Sequence, residues 1–278
     1  MKPFIVMQTD FGRGISISTM EGVILDIDPE LRIFHANHEI QQFNTYEASF
    51  SLFYYVQFWT PGTVFISVCD PGVGTSRRPC VAKLKNGSYV VTPDNGALTH
   101  MVRHIGVEEV RIVDERSHRL PSTLKVNIFH GRDLFAVVAA KLASGIITFE
   151  GVGVEYPVSE IVLHKQTRVT VEDGLIKGML ETADRRFGLI CTNIPIEVFE
   201  KQGINYGDKL ETVILHRDIE IYSDTIPFAR SFGHVSEGDA LAMVSETQTV
   251  QIAKNLRNMS VQYALGTGPE WTITFRKV

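Results

Sequence analysis

Asp70-Pro71-Gly72-Val73-Gly74-Thr75-Ser76-Arg77-Arg78 follows directly on Thr63-Val64-Phe65-Ile66-Ser67-Val68-Cys69. The upstream run is short, β-branched and bounded by turn residues, so it reads as a buried strand. A carboxylate at the end of such a strand, followed by a glycine-rich turn, stands where open α/β sheets hold their ligands, beyond the carboxyl ends of the strands. Gly72 and Gly74 are expected to allow positive φ and close backbone approach, which lets the turn fold Arg77 back toward Asp70. A fixed carboxylate and guanidinium can orient water or a small anion. The same residues also fit a structural turn closed by an ion pair. No G-K-[ST] follows, so this is not a phosphate-binding P-loop, and G-x-G-x-x-G is absent.

Working outward, Phe4 to Gln8 is a second short apolar run, and it too ends on a carboxylate, in Thr9-Asp10-Phe11-Gly12. Asp10 therefore repeats the placement of Asp70, with capping of the next helix as the other reading. Helical spacing over Ile17–Ile27 stops at Asp28-Pro29, and Leu31–Ala36 reads as a strand. His35 and His38 follow that strand, and a metal pair there is a weak alternative. Thr45–Phe58 is an aromatic-rich helix whose stripe is core. Phe43, outside its period, is the better candidate for stacking on a ligand. Cys80–Leu84 and Tyr89–Thr92 flank Asn86-Gly87, a hairpin signal. A polar turn at Pro93-Asp94-Asn95-Gly96 precedes a helix over Ala97–Ile105, with His100 and His104 on a partly exposed face. Phe129-His130-Gly131-Arg132-Asp133 opens an apolar helix, Leu134–Leu142, and places a histidine at a helix start, where a polar ligand can be faced.

Strands alternating with helices up to about residue 150 predict a parallel or mixed α/β sheet with flanking helices. From Ile161 onward short strands at barrel-like spacing, interrupted by one helix at Ile196–Lys201, predict a smaller all-β barrel. The expected domains are residues 1–155 and 160–278. The 278 residues are 44% hydrophobic and carry a net charge of −5 with no basic block, which argues against a nucleic-acid surface. Cys69, Cys80 and Cys191 form no C-x-x-C, and their odd number fits reduced thiols and a cytoplasmic location. No apolar run is long enough to span a membrane.

Taken together these motifs resemble the S-adenosyl-L-methionine hydroxide adenosyltransferase family, hydrolytic relatives of fluorinase and chlorinase. The carriers are Thr9-Asp10-Phe11-Gly12, Asn37-His38-Glu39-Ile40, Asp70–Thr75 with Arg77-Arg78, Pro93–Gly96, Phe129–Asp133, Asp184 with Phe187-Gly188 and Thr192-Asn193-Ile194, and Ile252-Ala253 with Asn255. The resemblance implies an α/β domain followed by a β-barrel, a homotrimer with active sites between subunits, and hydrolysis of S-adenosyl-L-methionine (SAM) to adenosine and L-methionine without cofactor or metal. It implies a catalytic triad of Asp70, Arg77 and His130, in which Asp70 orients His130 or the water. Asp10 would take the ribose diol, Phe43 would pack beside the substrate and Asp184 would meet the methionine amine. Phe187 would pack on adenine, Ser245 would meet a carboxylate, and the backbone near Asn255 would meet adenine. Gly131 stands where the halogenases carry a hydroxyl. The alternatives are a nucleoside-binding or sensing protein without turnover, and adenosyl transfer to another small nucleophile such as halide. Ile15, Leu189 and Glu246 depart from the family pattern and bear on whether SAM or another 5′-activated adenosine is the substrate.

Overall fold

Why Ile5–Met7 and Val64–Ile66 are unbroken apolar runs is plain from their neighbours in the computed structural model, which describes residues 2–278. β1 (Phe4–Thr9) sends Ile5 and Met7 into one layer and Val6 into the other, and β3 (Val64–Val68) sends Val64, Ile66 and Val68 one way and Phe65 the other. Side chains alternate along a strand, so a strand covered on both faces must be hydrophobic throughout. One layer is built by α1 (Ile15–Ile27) through Ile17, Met20 and Ile24, together with residues 134–143. The other is built by α2 (Thr45–Val56) through Leu52 and Val56, with Leu98 and Met101.

With β2 (Arg32–Asn37), β4 (Pro79–Leu84), β5 (Tyr89–Pro93), β6 (Val107–Ile112) and β7 (Glu155–Tyr156), these strands form a seven-stranded mixed sheet in the order β2-β1-β3-β5-β4-β6-β7. The first four in that order are parallel, and the β5-β4-β6-β7 edge is antiparallel. The chain passes from β1 to β2 on one side and then returns to place β3 on the other side of β1. The order reverses there, so a crevice opens beyond the carboxyl ends of β1 and β3. The hairpin expected at Asn86-Gly87 joins β4 to β5, with Gly87 at φ 84°.

Two helical segments differ from their sequence reading. Met101–Ile105 is a wide π-helical turn, and His100 ahead of it is buried rather than on an exposed face, with its Nδ1 2.9 Å from the Ser49 hydroxyl. The helix expected to begin at Leu134 begins at Gly131, runs in π geometry to Ala136 and continues in α geometry over Val137–Ala143. A short helix, α3 (Glu115–His118), follows β6, and the Val137–Ala143 segment is α4.

The chain divides into two compact units, one running to His164 and one from Lys165 to Val278. The second unit holds β8 (Thr170–Glu172), β9 (Leu175–Ala183), β10 (Ile190–Pro195), α5 (Ile196–Lys201), β11 (Lys209–His216), β12 (Ile219–Pro227), β13 (Ala240–Val244), β14 (Thr249–Lys254), α6 (Met259–Gln262) and β15 (Gly268–Lys277). Its strands are antiparallel in the order β12-β11-β15-β9-β10-β14-β13, with β8 on β9. A bridge from Phe228 to Ala242 draws the two ends together, making a nearly closed barrel around Phe199, Ile214, Ile252 and Phe275. Among the described residues no helix is long and apolar enough to cross a membrane.

Candidate active site

The site is assembled at the carboxyl ends of β1 and β3. Parallel pairing sets Thr9 beside Val68, and the Asp10 N–H donates to the Val68 carbonyl at 3.3 Å, so the two carboxylate-bearing turns leave the sheet side by side. After β3 the Val73 N–H returns to the Asp70 carbonyl at 3.2 Å, and Thr75 closes on the Gly72 carbonyl through both its N–H and its hydroxyl. Gly74 has φ 75°, as expected, and a Cβ there would stand 2.7 Å from the Asn127 carbonyl oxygen. Gly72 does not adopt positive φ. Its missing Cβ instead makes room for Arg77, whose Cγ would lie 3.3 Å from it.

Arg77 folds back on Asp70 as the turn predicts. Its Nε donates to both carboxylate oxygens, at 2.9 and 3.0 Å, and Nη2 donates to Oδ2 as well. Both side chains are largely closed off from solvent, at 5% exposure for Asp70 and 8% for Arg77. Nη2 also donates to Nδ1 of His130 at 2.8 Å. The three residues therefore meet, but in a different order from that expected. Asp70 orients Arg77, and it is Arg77, not Asp70, that touches His130. Arg77 is permanently protonated, so Nδ1 must be an acceptor and the neutral imidazole carries its proton on Nε2. Burial and the neighbouring guanidinium hold the His130 pKa below its ordinary value, in keeping with that neutral form. Nε2 is itself buried without a hydrogen-bond partner. Arg78 turns away to a separate knot, where Asp94 accepts from Arg78 Nε at 3.0 Å, the Tyr156 hydroxyl at 3.0 Å and the Val162 N–H at 2.8 Å.

Asp10 does not cap α1, whose N-cap is Gly14 with no side-chain bond. Its Oδ2 accepts from the Phe43 N–H at 2.9 Å and lies 3.5 Å from the Cys69 thiol. That contact holds the Phe43 backbone at φ 66° beside the carboxylate, and the residue is 68% exposed. Burial and Asp10 push the Cys69 thiol well up, so it is an inert neighbour. Asn95, which the sequence reading did not single out for a role, donates from Nδ2 to the Cys69 carbonyl at 2.9 Å and pins the end of β3. Its place in the Pro93–Gly96 motif was the available signal. His35 and His38 meet each other, Nδ1 to Nε2 at 2.7 Å, and are joined to Glu21 and Thr9 rather than arranged about a metal.

In the second unit Asp184 turns its carboxylate onto its own loop, accepting from the Arg186 N–H at 2.7 Å and the Phe187 N–H at 3.3 Å. This turn leaves Phe187 75% exposed. Leu189 follows and packs against the small cluster of Ala229, Leu241, Met243 and Ala253. Asn255 lies at the same end of the barrel, since Ile190 pairs with Ile252. Its backbone N–H and carbonyl are engaged by Asp239 and Gly238, at 2.9 and 2.8 Å. Ser245 is not brought to this group. It sits at the opposite end of β14, buried in a knot of hydroxyls with Thr247 at 3.0 Å and Thr249 at 2.8 Å.

Comparison with known proteins bears on both units. Residues 5–153 match the model of the SAM hydroxide adenosyltransferase N-terminal domain, and residues 178–272 match that of its C-terminal domain. An (R)-S-adenosyl-L-methionine hydrolase of Methanocaldococcus jannaschii is 35% identical over 143 residues, an alignment that spans 50% of this chain and 52% of that protein. An (R)-S-adenosyl-L-methionine hydrolase of Thermus thermophilus is 28% identical over 96% of each chain. A fluorinase of Actinopolyspora mzabensis is 25% identical over 98% of this chain and 97% of its own. Among solved structures, an uncharacterized conserved protein from Thermotoga maritima superposes with a TM-score of 0.86 at 32% identity, covering 98% of this chain and all of that one.

Proposed function

The chain belongs to the SAM hydroxide adenosyltransferase family, and on that premise we propose that it is an enzyme that cleaves S-adenosyl-L-methionine with water at the ribose C5′. The water oxygen forms a bond to C5′, the C5′–S bond breaks with its electrons to sulfur, and one proton is released. The products are adenosine and L-methionine. A sulfonium leaves as a neutral thioether, so the leaving group needs no general acid. The difficulty lies in the weak nucleophile and in its placement.

The observation that carries this reading is the contact of Arg77 Nη2 with His130 Nδ1, anchored by Asp70. A donor facing an acceptor is the pair of partners that one water requires. In this reading an incoming water parts the Arg77–His130 contact, accepting from Arg77 and donating to the Nδ1 lone pair that Arg77 gives up, which turns an oxygen lone pair outward and gives the departing proton a base. A positioned base of this kind contributes about 10²–10⁴-fold, and fixed attack geometry contributes more. The lowered His130 pKa keeps the imidazole unprotonated and ready to accept.

Asp10 supplies an acceptor for the ribose diol, and Phe43 beside it supplies an apolar wall. Asp184, with Phe187, offers a carboxylate for the methionine amine and a ring for adenine; Asn255 adds a polar edge at that end of the barrel. Ser245 has a weaker claim, because its hydroxyl is committed within its own turn. In the same reading the protein is a cytoplasmic homotrimer with shared active sites. The exposed rings of Phe43 and Phe187 and the exposed Ile128 just ahead of His130 support such covering by a second copy.

The test is incubation with SAM in ¹⁸O-water, with and without chloride, read by mass spectrometry. Because the relatives are named for the (R)-epimer, both sulfonium epimers are supplied separately. Adenosine labelled with ¹⁸O and an equal amount of methionine are the expected products. Unlabelled adenosine, or a 5′-chloro nucleoside in chloride, contradicts water attack.

A further inference from the structure

Behind the Asp10 turn runs a chain of hydrogen bonds that the catalytic reading does not use. Glu21 Oε1 on α1 lies 2.9 Å from His35 Nε2, His35 Nδ1 lies 2.7 Å from His38 Nε2, and His38 Nδ1 lies 2.9 Å from the Thr9 hydroxyl. The Thr9 hydroxyl in turn accepts from the Phe11 N–H at 3.2 Å, and the His38 carbonyl accepts from the Gly12 N–H at 2.8 Å. The chain starts at a solvent-accessible carboxylate and ends on a threonine that is fully buried.

Its polarity follows from the donor inventory. An ionised carboxylate only accepts, so His35 donates from Nε2. A neutral His35 then offers a lone pair at Nδ1, so His38 donates from Nε2 and accepts at Nδ1. The one proton left to fill that acceptor is on the Thr9 hydroxyl. With its hydrogen committed to His38, the Thr9 oxygen turns its lone pairs to the Phe11 N–H. Every link points toward Glu21, and aligned bonds of this kind strengthen one another. The consequence falls on Asp10. The N–H groups of Asp10, Phe11 and Gly12 are held by the Val68 carbonyl, Thr9 Oγ and the His38 carbonyl.

We propose that Glu21, His35 and His38 are positioning residues that hold the Thr9–Gly12 turn, and with it the Asp10 carboxylate, in the geometry that receives the ribose diol. This rests on the reading of Asp10 as the ribose-binding carboxylate. The surroundings suit a neutral relay: burial first, then His35 and Arg13, bring the His38 pKa down to about 4, with Glu21 acting in the opposite direction.

The experiment compares wild-type protein with Glu21→Ala and Glu21→Gln, both on the outer surface of α1. ¹⁵N-imidazole NMR of the unliganded proteins reads the tautomers of His35 and His38. Calorimetry with adenosine and steady-state kinetics with SAM read the site. In wild type both histidines are expected as Nε2–H tautomers. Glu21→Ala scrambles them, weakens adenosine binding on the order of tenfold and raises KM more than it lowers kcat. Glu21→Gln, whose amide oxygen still accepts, restores most of both. A purely structural role lowers the melting temperature without that split or that rescue. Unchanged tautomers in Glu21→Ala, or unchanged adenosine affinity with scrambled tautomers, overturn the proposal. If wild type binds neither adenosine nor SAM, it is the functional reading that fails, and the tautomers alone then decide whether the relay exists.

Discussion

Arg77 joins two residues that do not touch each other: it grips Asp70 through Nε and Nη2, and the same Nη2 donates to His130 Nδ1 at 2.8 Å. Asp70 therefore serves by fixing a guanidinium. His130→Ala removes the acceptor and is expected to lower kcat about 10²–10⁴-fold, with adenosine affinity within a few fold of wild type. Asp70→Asn frees Arg77 and is expected to act in the same direction. Arg77→Lys is not conservative here, because an ammonium cannot hold the carboxylate from two nitrogens and reach the imidazole at once. Single-turnover kinetics beside calorimetry separate these effects, and wild-type turnover in any of the three contradicts the arrangement.

The pH dependence has a definite sign. His130 accepts from Arg77 only when neutral, and its pKa is lowered by burial and by that guanidinium. Activity is expected to persist below the ordinary imidazole pKa and to fall only as pH drops through the lowered value. Stability follows the same direction. The unfolded chain takes up protons at its histidines near pH 6.5, whereas folded His38 does so only near 4. The folded state binds fewer protons across that window, so stability is highest above it and declines as pH falls from 6.5 toward 4. Melting curves between pH 7 and 4 check this, and a melting temperature that rises on acidification refutes it.

Two glycines with positive φ separate backbone strain from crowding. Gly12 (φ 68°) has open space where a Cβ would stand, whereas at Gly74 (φ 75°) that Cβ would meet the Asn127 carbonyl oxygen at 2.7 Å. Gly12→Ala is expected to cost about 1–2 kcal/mol for the left-handed backbone alone. Gly74→Ala carries that cost and must also displace the 127–130 segment that leads into His130, so it is expected to lose more stability and most of its turnover. Denaturant midpoints and kcat for the pair provide the comparison.

At Gly131 a side chain would be wedged rather than free. Its Cβ would lie 3.2 Å from the Phe129 ring and 3.3 Å from the Phe11 ring. Gly131→Ser is expected to destabilise by about 1–3 kcal/mol through overpacking and to yield no 5′-chloro nucleoside from SAM in chloride. Thermal melts and product mass spectra read both parts.

Asp184→Asn distinguishes turn capping from substrate binding. An asparagine oxygen can still accept from the Arg186 N–H, so stability is expected to change little. Loss of the negative charge is expected to raise KM for SAM roughly tenfold, as for a charge-assisted bond of about 1.4 kcal/mol or more, with adenosine binding unaffected. Equal KM values mean the carboxylate serves its turn only.

Much of this protein is legible in its amino-acid sequence. Runs such as Thr63–Cys69 and Phe4–Gln8 are buried on both faces, and only a doubly covered sheet explains that; the change to short strands after Ile161 marks the barrel. These readings succeed because hydrophobic periodicity and turn chemistry are local. They also placed Asp10 and Asp70 at strand ends, and the turn glycines predicted the Arg77–Asp70 contact seven residues apart.

What local sequence pattern could not reveal depends on groups that meet across long stretches of chain; the grouping of Asp70, Arg77 and His130 came only from the family resemblance. Arg77 meets His130 across 53 residues, and Glu21, His35, His38 and Thr9 line up only because β1 and β2 pair in parallel beside α1. A motif with two histidines three apart is compatible with a metal pair or with a hydrogen-bonded relay. The choice is made by ring orientation, which strand register sets. Gly72 and Gly74 look alike in sequence, yet one is glycine for its φ and the other for the room it leaves Arg77. Ser245 and Asn255 are ten residues apart in sequence and both looked like site residues, but the strand between them is extended. At about 3.4 Å per residue, six residues put them roughly 20 Å apart along the barrel wall. Local pattern determined the elements and the ends of the strands; strand order and register decided which side chains share a hydrogen bond, because a directional bond of under 3 Å tolerates no error in either.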